Sequence, residues 1–189
     1  MRGAMMTETK RAVWVGMLGI HNSGHLIGQW YDLRDGEVPT TTEAWMADPR
    51  NLTAILDEQV HPYDIGDEVW CFDIEGFPKN EEMSPGQAVE IHEEIEEAAE
   101  RHCVDEDVIV AALANDIDVE SQDFQYCGLW DSFQEYAEEL ADDIYPRPPE
   151  AIQESYYWTF DYEMFARDLQ GDYTVVDTEG YQVHVFQAW

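Results

Sequence analysis

The 189-residue chain carries 42 acidic and only 9 basic residues, which gives a formal net charge of −33 at pH 7. Such an acidic excess excludes a protein that binds nucleic acid by neutralising its phosphates, and it disfavours docking on an anionic membrane surface. Hydrophobic residues make up 44% and aromatic residues 13% of the sequence, which is too much for an acidic disordered chain. We therefore expect a folded protein.

The cysteines and the apolar runs predict the compartment. No apolar stretch approaches the roughly 20 residues of a membrane span, and the first residues lack the apolar core of a secretion signal. The three cysteines, Cys71, Cys103 and Cys127, have no CxxC spacing, which is typical of reduced thiols rather than a disulfide framework. These features predict a cytoplasmic protein.

Residues 1–80 have the pattern of a small α+β domain. Apolar, aromatic and β-branched runs at 12–18 and 26–33 flank the turn sequence HNSGH, which predicts a β-hairpin. Residues 42–56 predict short helices interrupted at a proline, and residues 68–74 alternate like a third strand. Four tryptophans of this segment are expected to pack in its core: Trp14, Trp30, Trp45 and Trp70.

Most of the negative charge lies in the middle of the chain. Residues 81–145 hold 21 acidic residues and one basic residue, Arg101, whereas residues 1–80 hold 13 acidic and 6 basic residues and residues 146–189 hold 8 and 2. Adaptation of a whole proteome to salt would spread the acidity more evenly. The concentration therefore indicates a dedicated acidic surface.

The first helix of the acidic segment has a clear predicted start. Ser84 is a candidate N-cap, Pro85 suits the first helical position, and Gln87 completes a capping box. Apolar residues then recur at three- and four-residue spacing and predict one buried stripe, formed by Ala88, Ile91, Ile95, Ala98 and Ala99.

Two more helices and a β-hairpin are predicted beyond it. A short helix covers 105–114, and another begins at Asp131 or Ser132 and ends near Ile144. The inward residues of the latter helix are expected to be Phe133, Tyr136, Ala137, Leu140 and Ile144. Prolines at 146, 148 and 149 predict a stiff linker. Asp161 then caps a helix through Leu169, and residues 173–186 form a hairpin around DTEG.

The glutamates of the first acidic helix favour a use beyond solubility. Its i,i+4 pairs include Glu90–Glu94 and Glu93–Glu97, and each like-charged pair costs about 0.2–0.5 kcal/mol of helix stability. Helical carboxylates four residues apart lie about 6 Å apart along the axis, a spacing comparable with neighbouring phosphates. A two-fold dimer would carry the charge of roughly 33 base pairs of DNA. The surface would therefore fit a basic DNA-binding groove.

Three segments resemble the ArdA family of antirestriction proteins in the same order along the chain. They are VWVGMLGIHNSGHLIGQWYDL near the start, EVWCFDIEGFP before the acidic segment, and WTFDYEMFARDLQGDYTVVDTEGYQVHVF at the end. The resemblance implies an acidic homodimer that mimics bent B-form DNA, inhibits type I restriction-modification enzymes by occupying the DNA-binding groove of their specificity and methyltransferase core, and is carried on mobile genetic elements. It implies no catalytic activity and no cofactor.

The resemblance also implies an elongated α+β fold with three domains. Small mixed antiparallel-sheet and helix domains at residues 1–80 and 148–189 would flank an acidic helical central domain at residues 81–147. The family motifs, which are expected to serve packing more than partner contact, match Gly24, Gly28, Trp30, Asp161, Tyr162, Glu163, Ala166, Arg167, Asp168 and Leu169.

We hypothesise that fourteen carboxylates, here called the acidic set, imitate DNA phosphates. They are Glu90, Glu93, Glu94, Glu97, Glu100, Asp105, Asp107, Asp116, Asp118, Glu135, Glu138, Glu139, Asp142 and Asp143. Because attraction is summed over many charges, one substitution should cost little.

An enzyme and a different binding module are the alternatives. His21 and His25 form an HxxxH spacing across a predicted turn, so they are not expected to bind metal together. Asp116 and Asp118 begin like a calcium loop, but Ser121 stands where that loop needs glycine. No residues select a general acid and base pair. An acidic module for a histone or another basic DNA-binding protein remains open.

Overall fold

The computed structural model describes residues 10–66, 68–145 and 160–187. The predicted proline linker and the predicted domain boundary after residue 147 lie outside these ranges. Within them the fold is α+β, as expected, with two three-stranded antiparallel sheets and seven α-helices. The chain divides into two compact units, Met1–Ala114 and Asn115–Trp189. This division separates the acidic segment into two parts, and the three-domain division stays a prediction.

The first unit contains the sheet that the sequence predicted. Strands β1 (Ala12–Met17), β2 (Gly28–Asp32) and β3 (Val69–Glu75) form the order β2-β1-β3, and both pairings are antiparallel. The hairpin and the third strand are therefore confirmed. The hairpin connection was predicted only as a turn, but it begins with a short helix, α1 (Leu18–Asn22), before the turn at Gly24, whose φ is +94°.

Four further helices belong to the first unit. They are α2 (Thr42–Ala47), α3 (Pro49–Asp57), α4 (Pro85–His102) and α5 (Glu106–Ala114). The predicted interruption is confirmed at Asp48, which has an extended backbone and caps α3 by accepting a hydrogen bond from the backbone N–H of Arg50 at 2.9 Å. A residue before proline avoids helical geometry, so α2 ends there.

The core of this unit contains one fully buried tryptophan. Trp45 donates from its indole nitrogen to the carbonyl of Val15 at 3.0 Å, so its one polar atom is satisfied. Trp14 and Trp70 are partly buried. The expectation of core packing was wrong for Trp30, which is 42% exposed. It pairs with Trp14, which lies on the face of the sheet opposite the buried Val13 and Val15.

In the described residues of the second unit, a sheet is combined with two helices. Strand β4 (Tyr126–Trp130), helix α6 (Phe133–Ile144), helix α7 (Tyr162–Leu169) and strands β5 (Tyr173–Asp177) and β6 (Val183–Gln187) follow in chain order. The sheet order is β4-β6-β5, with antiparallel pairs. Both helices and the β5–β6 hairpin were predicted, but β4 was not.

Packing in the second unit corrects one prediction about α6. Tyr136 and Ala137 are buried, and Phe133 and Leu140 pack against the core, as their spacing predicted. Ile144 was expected to face inward, but it is 53% exposed, because it is the last helical residue before the cap at Tyr145. None of the helices in the described ranges has both the length and the apolarity that a bilayer crossing needs.

Candidate acidic binding surface

Helix α4 begins through the predicted capping box. The Ser84 hydroxyl accepts a hydrogen bond from the backbone N–H of Gln87 at 3.3 Å, and the Gln87 side-chain oxygen accepts one from the backbone N–H of Ser84 at 3.0 Å. Pro85 occupies the first turn. Because proline has no backbone N–H, three donors remain at the helix start, and two of them are thereby satisfied. Local sequence therefore fixes the start of the acidic helix.

The buried and acidic faces of α4 lie on opposite sides of the helix. Four residues of the predicted stripe are buried and Ile91 is partly buried. At about 100° per residue the acidic set members of α4 fall within an arc of roughly 120° opposite that stripe. Glu90, Glu93, Glu97 and Glu100 are exposed, whereas Glu94 is partly buried. Helix α4 thus presents a row of carboxylates on one side, while its other side is buried in the first unit.

Helix α6 presents a second acidic face in the other unit. Its N-cap, Ser132, accepts a hydrogen bond from the backbone N–H of Glu135 at 3.2 Å. Glu138, Glu139 and Asp143 are exposed like Glu135. They follow the same three- and four-residue spacing, so their carboxylates also share one side of a helix.

Asp142 is a member of the acidic set that is held by a hydrogen bond between two helices. Asp142 is partly buried, and its carboxylate accepts a hydrogen bond from the Tyr162 hydroxyl at 2.6 Å, which joins α6 to α7. The remaining four members are exposed. Asp105 and Asp107 flank the start of α5 in the first unit, and Asp116 and Asp118 lie before β4 in the second. The structure therefore places seven members in each unit.

Several basic residues bind acids outside the acidic set. Arg34 contacts Glu106 at 2.9 Å, and Lys10 lies 3.8 Å from Glu75. Arg50 contacts Asp48 at 2.6 Å, and the hydrogen bonds from Arg50 lower the pKa of that carboxyl to about 2. None of these three contacts uses a member of the acidic set.

A buried arginine is the feature that sequence reasoning missed. Arg11 is fully buried and donates to the Glu106 carboxylate at 3.0 Å, to the backbone carbonyl of Gly76 at 3.2 Å and to Nδ1 of His92 at 2.7 Å. It therefore ties the start of β1 to α4, to α5 and to the end of β3. The partners lie 65 to 95 residues away along the chain, so no local pattern could have revealed them.

The ionisation of this cluster follows from its burial. Burial lowers the pKa of His92, and the positive charge of Arg11 acts in the same direction. Burial by itself would raise the pKa of Glu106, but the hydrogen bond from Arg34 and the charge of Arg11 outweigh it and lower that pKa. A neutral His92 and an ionised Glu106 are thus the forms that fit Arg11.

The structure explains why the two glycines of the N-terminal motif are glycines. A side-chain carbon at Gly28 would lie 2.6 Å from the Val15 carbonyl and 2.7 Å from the Trp14 ring, so only glycine fits against β1. Gly24 has a left-handed backbone in open space. Both glycines therefore serve the hairpin, while the exposed Trp30 ring is accessible to a partner.

The C-terminal motif divides into packing and exposed residues. Asp161 caps α7 by accepting from the backbone N–H of Met164 at 2.9 Å, and Ala166 is buried. Leu169 packs against the core of the unit, and Tyr162 holds Asp142 as described. Glu163, Arg167 and Asp168 are exposed, and so is the capping residue Asp161.

The histidines of the HxxxH spacing lie in different environments. The His21 ring stacks on Phe72 with 4.2 Å between ring centroids, and Nδ1 of His25 lies 3.3 Å from a carboxylate oxygen of Glu58. Among the described residues, no three or more His, Cys, Asp or Glu side chains form a group that could hold a metal ion.

Comparison with known proteins gives one match to a protein-family model. The family model described as "Antirestriction protein (ArdA)" matches residues 13–183. The matched range contains the whole acidic set and all of the motif residues. A search of the curated proteins found no match.

Proposed function

The chain belongs to the ArdA family of antirestriction proteins, and from that premise we propose that it inhibits type I restriction-modification enzymes by imitating B-form DNA. The observation that carries the proposal is the acidic face of α4, where four exposed glutamates oppose a buried stripe. Neighbouring carboxylates of these four glutamates lie about 4.5–6 Å apart along the helix axis. A groove that binds phosphates with Lys and Arg would attract such a row.

Fixed carboxylates would make the protein an inhibitor rather than a substrate. The enzyme would gain the electrostatic attraction that it normally gains from phosphates. The acidic helices offer no phosphodiester to cleave and no base to methylate. An enzyme that binds them in the DNA-binding groove of its specificity and methyltransferase core would be occupied without turning over.

A homodimer belongs to the same proposal. Ile144 and Tyr145 at the end of α6, and Met164 on α7, are each more than half exposed. Contacting helices with exposed apolar side chains provide a surface that a second copy could cover. The elongated three-domain arrangement remains a prediction from the resemblance.

Block substitution tests the proposal. We expect replacement of Glu90, Glu93, Glu97 and Glu100 by glutamine to weaken inhibition of DNA cleavage by a type I enzyme roughly tenfold or more, because a summed attraction is lost. The matched control removes four exposed acids outside the acidic set, by changing Glu43, Asp57, Glu68 and Glu82 to their amides. Undiminished inhibition by the folded α4 variant would count against the proposal.

A histone or another basic DNA-binding protein is the second candidate partner. An acidic face by itself attracts any such protein, but the family match favours restriction enzymes. Tight histone binding without any effect on type I cleavage would support the second candidate. Equal loss of inhibition in the α4 variant and its control would indicate net charge rather than the α4 face.

A further inference from the structure

A cavity in the first unit lies beside the acidic face of α4. It has a volume of about 580 Å³ and separates α4 from the segment that follows β2. The residues that matter for its chemistry are Leu33, Val38, Val89, His92, Glu93 and Glu96. Because the cavity combines apolar side chains with carboxylates, it goes beyond imitation of a charged backbone.

One wall of the cavity is apolar. Leu33 is 5% exposed and belongs to the core cluster, and Val38 and Val89 pack against that cluster from the loop and from α4. These side chains can cover the hydrocarbon stem of a long side chain, which gains stability when its stem is buried and its charged end is not.

The other wall carries carboxylates around a buried imidazole. Arg11 can only donate, so Nδ1 of His92, 2.7 Å from its guanidinium, must accept and the ring proton lies on Nε2. Nε2 faces Glu96 at 3.6 Å. His92 is 6% exposed, so its ring is fixed in the wall while Glu93 and Glu96 reach solvent. Arg34 also lines the cavity, but it binds Glu106 at 2.9 Å.

We propose that this cavity takes one long basic side chain, lysine or arginine, from the DNA-binding surface of the protein partner. The stem would lie on the apolar wall, and the cationic end would meet Glu93 and Glu96. This inference rests on the proposed function for the identity of the partner, but binding of the side chain itself can be measured separately. The site would add a directional anchor to an otherwise diffuse attraction.

Titration with a small probe tests the cavity without any enzyme. We would add N-acetyl-arginine amide to the ¹⁵N-labelled full chain at 150 mM salt and follow the backbone amide signals by NMR. The largest shifts are expected at Val38, Val89 and Glu93. N-acetyl-citrulline amide has a similar shape without the charge and should give shifts at least about threefold smaller, because the carboxylates no longer contribute. Shifts spread evenly over both units would overturn the proposal.

Filling the cavity tests its role in inhibition at constant net charge. Val89→Phe fills the cavity from α4 and Val38→Phe fills it from the segment that follows β2, whereas Val110→Phe enlarges a partly buried valine on α5, outside the lining. We expect either cavity variant to weaken inhibition of the type I enzyme about five- to tenfold, and the control to leave it unchanged. Two variants are used so that one that fails to fold, as judged by its thermal transition, does not decide the result.

Charge removal within α4 separates the cavity from the open face. Glu93→Gln with Glu96→Gln and Glu97→Gln with Glu100→Gln change the net charge equally on the same helix. The first pair should weaken inhibition more than the second and should abolish the arginine-dependent NMR shifts. If both pairs weaken inhibition equally and the folded phenylalanine variants inhibit normally, the proposed binding site in the cavity is overturned. The proposed function would remain intact. A wild-type chain that binds the probe but inhibits no type I enzyme would contradict the proposed function alone.

Discussion

Arg11 joins the start of β1 to α4, to α5 and to the end of β3 in the first unit. Its guanidinium is fully buried and is compensated by Glu106, by His92 and by a backbone carbonyl. Without Arg11, Glu106 would keep Arg34, and Nδ1 of His92 and the carbonyl of Gly76 would lose this donor. Breaking a buried ion pair by removing one partner typically costs about 3–5 kcal/mol.

We therefore expect Arg11→Met to lower the free energy of unfolding, measured in urea, by about 3 kcal/mol or more. The control is Arg50→Met, which removes a guanidinium that is 56% exposed and should cost about 1 kcal/mol or less. A loss below about 1 kcal/mol in Arg11→Met would contradict the assigned role.

His92 should make the stability depend on pH. Burial lowers its pKa in the folded protein, so the unfolded chain takes up the proton first as the pH falls below about 6.5. The contribution of neutral His92 is therefore present above that pH and is lost as the pH falls.

We expect the free energy of unfolding to decrease more in the wild type than in His92→Gln between pH 7.5 and pH 5.5. Urea unfolding of both proteins at each pH measures the difference, and the other titrating groups cancel in the comparison. Parallel pH profiles would show that His92 does not titrate as its burial requires.

At the scale of the elements, the acidic face of α4 should lower the stability of the helix while it favours binding of a basic partner. Glu90–Glu94 and Glu93–Glu97 are like-charged pairs on the side that faces solvent. Glu90→Gln with Glu93→Gln should raise the free energy of unfolding by about 0.5 kcal/mol at low salt, because it removes both pairs and each like-charged pair costs about 0.2–0.5 kcal/mol. The same variant should inhibit less well. Stabilisation should shrink in 0.5 M salt, and a variant that is destabilised at low salt would contradict this reasoning.

Local signals in the sequence predicted the elements that local interactions fix. The capping box at Ser84 and the apolar stripe predicted α4, and Asp161 predicted the start of α7. Strand β4 escaped prediction because a register shift and a glycine with φ of +113° interrupt its alternation. The Arg11 cluster escaped because it depends on contacts that form only in the folded unit.

At the scale of the whole molecule, the charge of −33 should control association with any basic partner. An inhibitor that occupies a phosphate-binding groove should bind more weakly as salt increases, because opposing charges are screened. Its affinity for the type I enzyme should therefore fall steeply between 50 mM and 200 mM salt, in parallel with the affinity of DNA. Titration calorimetry at several salt concentrations measures both slopes, and a salt-independent affinity would require an apolar interface instead.

The most direct measurement is whether the enzyme can bind the inhibitor and DNA at the same time. Fluorescently labelled cognate duplex would be titrated with the type I enzyme at increasing concentrations of the chain, and complexes would be separated by size. Imitation of DNA predicts mutually exclusive binding, with an apparent dissociation constant for DNA that rises linearly with inhibitor concentration. A stable ternary complex of enzyme, duplex and inhibitor would contradict the account.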